Sequence, residues 1–157
     1  MLTAELKKLF TPSREGLLLV ITIGNSYRSD DGVGPYIAQK ISKYKKNFTV
    51  LNAEDQPESI VDRAVRLKPG RVVIIDAADF GGMPGEIRLI EKKDIPDTSL
   101  STHSFSPNII AAIIEEDTGA DVHFLGIQPE SIQLREGLSE PVKKAAKRII
   151  SCLEKKE

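Results

Sequence analysis

The sequence predicts a three-layer α/β domain, a twisted and mainly parallel sheet with helices on both faces. Three observations carry this. Short apolar runs at 17–23, 71–76 and 122–127 alternate with stretches of helical periodicity, the pattern of βαβ units. The first run, LLLVITI, is apolar on both faces, as a central parallel strand must be. The 157 residues suffice for one sizeable core and show no internal repeat, low-complexity tract or linker. The expectation is therefore a single domain over 1–157, with 1–15 as an N-terminal extension.

The elements follow in order. Leu2, Leu6 and Phe10 lie at helical spacing, so 1–14 reads as a short amphipathic extension ended by Thr11-Pro12-Ser13. Leu17–Ile23 is the first strand. A helix starts near Asp31 or Gly32, with Val33, Ile37, Ile41 and Tyr44 on its apolar face. Phe48–Asn52 is the second strand and AEDQPES a polar loop. A helix over 58–67 points Ile60, Val61, Ala64 and Val65 inward and stops at Lys68-Pro69-Gly70. Arg71–Asp76 is a third strand with a β-branched centre. The turn GGMPG leads into an alternating strand, Glu86–Ile90. Lys92–Ser106 has no clear period and reads as a long loop. Pro107 opens a helix with Ile109, Ile110, Ile113 and Ile114 inward. Val122–Ile127 is the last strand. A C-terminal helix from Pro141 buries Val142, Ala145, Ala146, Ile149, Ile150 and Leu153, with Cys152 as a small packing residue.

Composition excludes several classes of function. The formal net charge of −1 gives no basic footprint for nucleic acid or an anionic membrane. The longest apolar run is too short to span a bilayer, and no apolar core follows Lys7 and Lys8 as in a signal peptide. The single cysteine forms no intrachain disulfide and suits a reducing cytoplasm.

The most informative stretch is GNSYRSDDGVG, Gly24–Gly34, which falls where a strand hands over to a helix. Its glycines permit a tight turn and close backbone approach. Its paired acids, Asp30 and Asp31, would repel a phosphate unless a cation intervened. The stretch does not match GxGxxG, and the chain carries neither GxSxG nor a Walker-type GxxxxGK[ST]. In open α/β sheets sites form beyond the carboxyl ends of the strands. Those ends bring Asn25, Asp30 and Asp31; Asn52, Glu54 and Asp55; Asp76 and Asp79; and Gly126 and Gln128. An acidic crevice that calls for a cation or a basic partner is the expectation.

There are two histidines. His123 sits inside the last strand and is expected to be structural. His103 lies in the loop STHSFSP. Asp31, Asp76 and His103 could form a mixed oxygen and nitrogen site with open positions, suited to zinc or nickel rather than magnesium. The residues alone leave other readings open. Asp30 or Asp31 equally serves as a helix cap, Asp76 as an acceptor for loop amides, and His103 as an ordinary loop histidine.

Taken jointly, GNSYRSDDGVGP, IIDAAD, PGEIRLI, STHSFSP, FLGIQPE and GLSEPV, in this order over Leu17–Leu153, resemble the hydrogenase maturation endopeptidases. These trim the C-terminus of the nickel–iron hydrogenase large subunit. GNSYRSDDGVG with FLGIQPE looks closest to the HycI-like subgroup, which serves formate-hydrogenlyase-type hydrogenases. The resemblance implies a phosphorylase/hydrolase-like fold and selects Asp31, Asp76 and His103 as the metal-contacting residues and the catalytic set. Asp30 is left at the helix start or behind the site. The family often has Asp-Gly-Gly after its second strand. This chain has Asn52-Ala53-Glu54, which implies a stiffer loop.

The resemblance further implies that nickel arrives with the substrate, held by cysteine thiolates of the immature large subunit, so the resting enzyme needs no metal of its own. The three residues would complete its coordination. The metal would polarise the scissile carbonyl or activate water, a route that needs no acyl-enzyme. A neutral His103 is required, so engagement is expected to weaken below about pH 6.5. The expected protein is a cytoplasmic monomer with one macromolecular partner. A non-catalytic nickel-binding maturation chaperone is the alternative, and a nucleotide enzyme on a related architecture is disfavoured by the acidic first loop.

Overall fold

The computed structural model describes residues 3–12, 16–41, 48–95 and 106–154. Tyr44, His103 and most of the loop expected at 92–106 lie outside the described residues.

Among the described residues five strands form one sheet in the order β2-β1-β3-β5-β4. They are β1 (Leu18–Ile23), β2 (Phe48–Glu54), β3 (Arg71–Ala77), β4 (Ile87–Ile90) and β5 (Asp121–Ile127). β1 pairs in parallel with β2 and β3, and β3 with β5. β4 runs antiparallel to β5. The helices are α1 (Thr3–Leu9), α2 (Val33–Ile41), α3 (Val61–Arg66), α4 (Pro107–Thr118) and α5 (Glu140–Glu154).

The two faces of the sheet follow from strand alternation. Leu18, Val20, Val73, Ile75, Leu125 and Ile127 pack with α1, α2 and α5. Leu19, Ile21, Val72, Ile74 and Phe124 pack with α3 and α4. Chain order then places the site. From β1 the chain moves outward to β2. It returns past β1 to β3 with α2 and α3 on opposite faces, then runs to β4 at the far edge and comes back through α4 to β5, between β3 and β4. Its direction reverses between β1 and β3, and the loops leaving the carboxyl ends of these two strands splay apart there.

The boundaries differ from expectation in physically interpretable ways. Ala53 and Glu54 belong to β2 rather than to a loop, because Asn52 Oδ1 ties the strand end by accepting from Thr22 Oγ1 at 3.0 Å and from Glu54 N at 3.2 Å. The expected helix over 58–67 is a 3-10 turn, Pro57–Ile60, followed by α3. β4 begins at Ile87, and it does not alternate: Arg88 and Leu89 are both exposed, as an edge strand permits. Lys92–Asp94 forms a further 3-10 turn. In α4, Ile110 and Ile114 are buried, whereas Ile109 is exposed and Ile113 only half-buried. Ser106 Oγ caps α4 by accepting from Ile109 N at 3.4 Å, and Gly119 ends it in the left-handed region at φ 72°.

The N-terminal segment is part of the core rather than an appendage. Leu6 is fully buried and Leu9 and Phe10 join the same cluster as α5. Arg71, first residue of β3, caps the C-terminus of α1 by donating Nη1 to the carbonyls of Lys8 (3.1 Å) and Thr11 (2.9 Å). At this end of the sheet His123 joins a polar cluster. Its Nε2 lies 2.8 Å from Asp121 Oδ2, which Arg71 Nε also reaches at 3.2 Å. Burial works against the Asp121 charge, but His123 and Arg71 outweigh it and hold its carboxyl below the ordinary range.

Candidate active site at the sheet switch point

The turn after β1 is closed tightly on itself. Gly24 sits at φ 148°, and a Cβ there would come within 1.9 Å of the Asp31 carbonyl oxygen. At Gly34 a Cβ would lie 2.3 Å from the Ile23 carbonyl oxygen. Only glycine fits either approach. Ser29–Gly32 forms a 3-10 turn that runs directly into α2, and neither acid caps it with a side-chain hydrogen bond. Asp31 instead points back into the turn, its Oδ2 accepting from Asn25 N at 3.0 Å.

Asp76 arrives from the neighbouring strand. It continues the face of Val72 and Ile74, the side covered by α3 and α4, and lies in register with Gly126 of β5. Both carboxylates are buried, Asp31 at 2% and Asp76 at 4% exposure. Burial, and then the charge of Asp31, push the Asp76 carboxyl well above its usual range, although the Ala77 amide works the other way. The fold therefore holds two acids close together, out of water, where their charges oppose one another. His103 lies outside the described residues. The chain re-enters the structure at Ser106, three positions on, at the start of the α4 that packs on Asp76's side of the sheet.

Two other acids of the expected crevice are already engaged. Asp30, fully buried, is satisfied by amides and a hydroxyl of the segment that follows β5. Asp79 Oδ1 accepts from Gln128 Nε2 at 3.0 Å and from Gly81 N at 3.1 Å, contacts that hold its carboxyl below the ordinary value. Of the acids left, Asp31 and Asp76 form the buried pair, whereas Glu54 is exposed and Asp55 half-buried. Among the described residues no three His, Cys, Asp or Glu side chains assemble into a metal cage.

Gln128 has a role that strand-end reasoning did not assign. Its Oε1 accepts from Phe80 N (2.9 Å) and Gly82 N (3.1 Å) while its Nε2 donates to Asp79. One buried side chain therefore pins the turn that leaves β3 just after Asp76. The sequence signal was a glutamine immediately beyond a buried strand, in FLGIQPE. Beside the glycine turn opens a cavity of about 630 Å³, lined by Tyr27, Tyr36, Asn52, Glu54 and Lys143 among others. A second hollow of about 540 Å³ lies between α1 and β4, and neither cavity has Asp31 or Asp76 in its lining.

A doubly wound α/β sheet with a buried carboxylate pair at its switch point defines the class. The chain belongs to the hydrogenase maturation protease family, whose model matches residues 35–156. It is 36% identical over 138 residues to the hydrogenase 3 maturation protease of Escherichia coli K12, covering 87% of this chain and 88% of that protein. A putative hydrogenase maturation protease of Methanocaldococcus jannaschii is 31% identical over 145 residues, covering 87% and 85%. Among solved structures, the [NiFe] hydrogenase maturation protease of Thermococcus kodakarensis KOD1 superposes with a TM-score of 0.81 at 33% identity, covering 96% of this chain and 99% of that one. The protein is accordingly a hydrolase of the peptidase class.

Proposed function

We propose that this protein removes the C-terminal extension of a nickel-loaded hydrogenase large-subunit precursor, with Asp31, Asp76 and His103 as its contacts to the nickel. The observation that carries the reading is the carboxylate pair. Two buried acids whose charges oppose one another gain most from a cation delivered between them. A metal that comes with the substrate supplies that cation only when the precursor is ready, so nickel acts as a licence for cleavage.

The chain's own contribution follows from its geometry. Asn25 N–H orients Asp31 by donating to Oδ2, which fixes the carboxylate in the turn that would face the incoming metal. Metal engagement would favour the ionised Asp76 carboxylate, since an opposite charge counters the causes that raise its affinity for protons. His103, entering from the segment before α4, would supply the neutral nitrogen. The nickel polarises the scissile carbonyl or lowers the pKa of a water for attack. The cavity beside Tyr27 and Asn52 offers room for chain flanking the scissile bond. In this reading the protein works as a cytoplasmic monomer, without a resident metal.

The test incubates the purified chain with nickel-loaded and nickel-free precursor and follows the precursor C-terminus by mass spectrometry. Cleavage is expected with nickel alone. Asp31→Ala, Asp76→Ala and His103→Ala should each lower the rate at least about a hundredfold with the fold intact. Full processing by one variant removes that residue from the site. Nickel-dependent binding without cleavage by the parent chain would point to a nickel-binding maturation chaperone instead.

A further inference from the structure

We propose that Asp30 is a positioning residue for the reaction: its carboxylate clamps the segment between β5 and α5 onto the glycine turn and so fixes the placement of Asp31. The inference rests on the reading of Asp31 as a nickel contact, and it assigns a task to the acid that the reading leaves unused.

Asp30 has no solvent exposure, and every hydrogen bond found for its carboxylate comes from one distant stretch of chain. Oδ1 accepts from Ser139 N at 2.7 Å. Oδ2 accepts from Glu130 N at 2.8 Å, Ser131 N at 3.2 Å and Ser139 Oγ at 2.8 Å. A carboxylate is the side chain that offers two acceptor oxygens and no donor, so it matches this all-donor surrounding. The main chain is laced along the same seam. Ser29 N donates to Arg135 O at 2.7 Å, Asp30 N to Ser131 O at 3.0 Å, and Arg135 N to Tyr27 O at 3.0 Å.

The seam lies on the strained part of the turn. Ser29 has φ 52°, a left-handed conformation that a non-glycine residue keeps only when its surroundings impose it. Asp31 is the next residue but one. Its amide donates to Arg28 O at 3.1 Å, and its Oδ2 accepts from Asn25 N at 3.0 Å. A shift of the backbone at Ser29–Asp30 therefore moves the Asp31 carboxylate directly. The segment that holds the clamp starts just beyond Gln128, which pins the turn after Asp76, and ends at Ser139, next to the start of α5. One stretch of chain thus bears on the loops that carry both carboxylates.

Asp30→Asn tests this, because an amide nitrogen would face donors on one side of the clamp. Two readouts are needed. One is kcat and KM for nickel-loaded precursor, measured well below the melting midpoint. The other is hydrogen exchange of the Asn25 amide, which reports the Asp31 contact, set against the amides of Val73 and Ile74 in the core of β3. The expected result is a kcat lower by roughly ten- to hundredfold with KM within about threefold, and Asn25 exchange faster by roughly tenfold, while the β3 amides keep their protection. Ser139→Ala removes one donor and should shift both readouts in the same direction by less.

Parental kcat and Asn25 protection in Asp30→Asn would overturn the proposal. So would loss of protection spread evenly into β3, which marks a purely structural role. Should Asp30→Asn not fold, a Ser139→Ala chain unchanged in both readouts overturns it. If the parent chain cleaves nothing, the functional reading falls, and the exchange of Asn25 still decides whether the clamp holds Asp31.

Discussion

Asp76 shows what a strand end of this kind does to an acid. Four apolar residues, Val72–Ile75, carry the chain into the interior, and the carboxylate that follows is buried beside Asp31. Its proton affinity is higher in the folded chain than in the unfolded one. Between those two values the folded state binds the extra proton, so this contribution is fully present below the unfolded value and is lost as pH rises through the folded value. Asp76→Asn, neutral at every pH, should therefore melt later than the parent near pH 7, by about 1 kcal/mol or roughly 2–4 °C, with the gain shrinking towards pH 4. Calorimetry from pH 4 to 8 measures it. A gain that is constant with pH would remove the burial account. Asp31 and Asp76 were both legible as acids at strand ends. The residues alone left Asp30 and Asp31 equivalent and only the family resemblance separated them, because the partners of Asp30 lie a hundred residues further along the chain.

The turn at Gly24–Gly34 is the element on which the site depends. Gly24→Ala would force a methyl into the Asp31 carbonyl at an unfavourable φ. The expected loss is roughly 2–4 kcal/mol in chemical denaturation, together with loss of the Asn25–Asp31 contact. A parental denaturation midpoint would mean that the turn opens at little expense. Much of the element plan was legible because its signals are local: the apolar run of β1, the Ser106-Pro107 start of α4 and its Gly119 stop, and the inward face of α5. The misplaced details are those set by neighbours. Four isoleucines in α4 satisfy a helical period, but the sheet covers only part of that face and leaves Ile109 outside. Asn52 extends β2 through a bond to Thr22 on the adjacent strand, a partner no local pattern discloses.

At the scale of the whole molecule, the doubly wound order sets the carboxyl ends of β1 and β3 side by side at the switch point where their loops part, and α1 completes one face of the core. Leu6→Ala should cost about 2–5 kcal/mol, seen as a lower urea midpoint, because the side chain is fully buried against the α5 side of the sheet. A change within about 0.5 kcal/mol would instead mean that α1 is dispensable. The sequence by itself determined the alternation of strands and helices, the glycine turn and its charge, and the acids at the strand ends, since these depend on periodicity and residue chemistry along the chain. Only the tertiary structure decided which acids meet. Strand order sets Asp31 beside Asp76, a distant segment claims Asp30, and Gln128 claims Asp79. The physical reason is that hydrogen-bond satisfaction and burial are properties of neighbours in space, and in a parallel sheet those neighbours are separated by whole βαβ units of sequence.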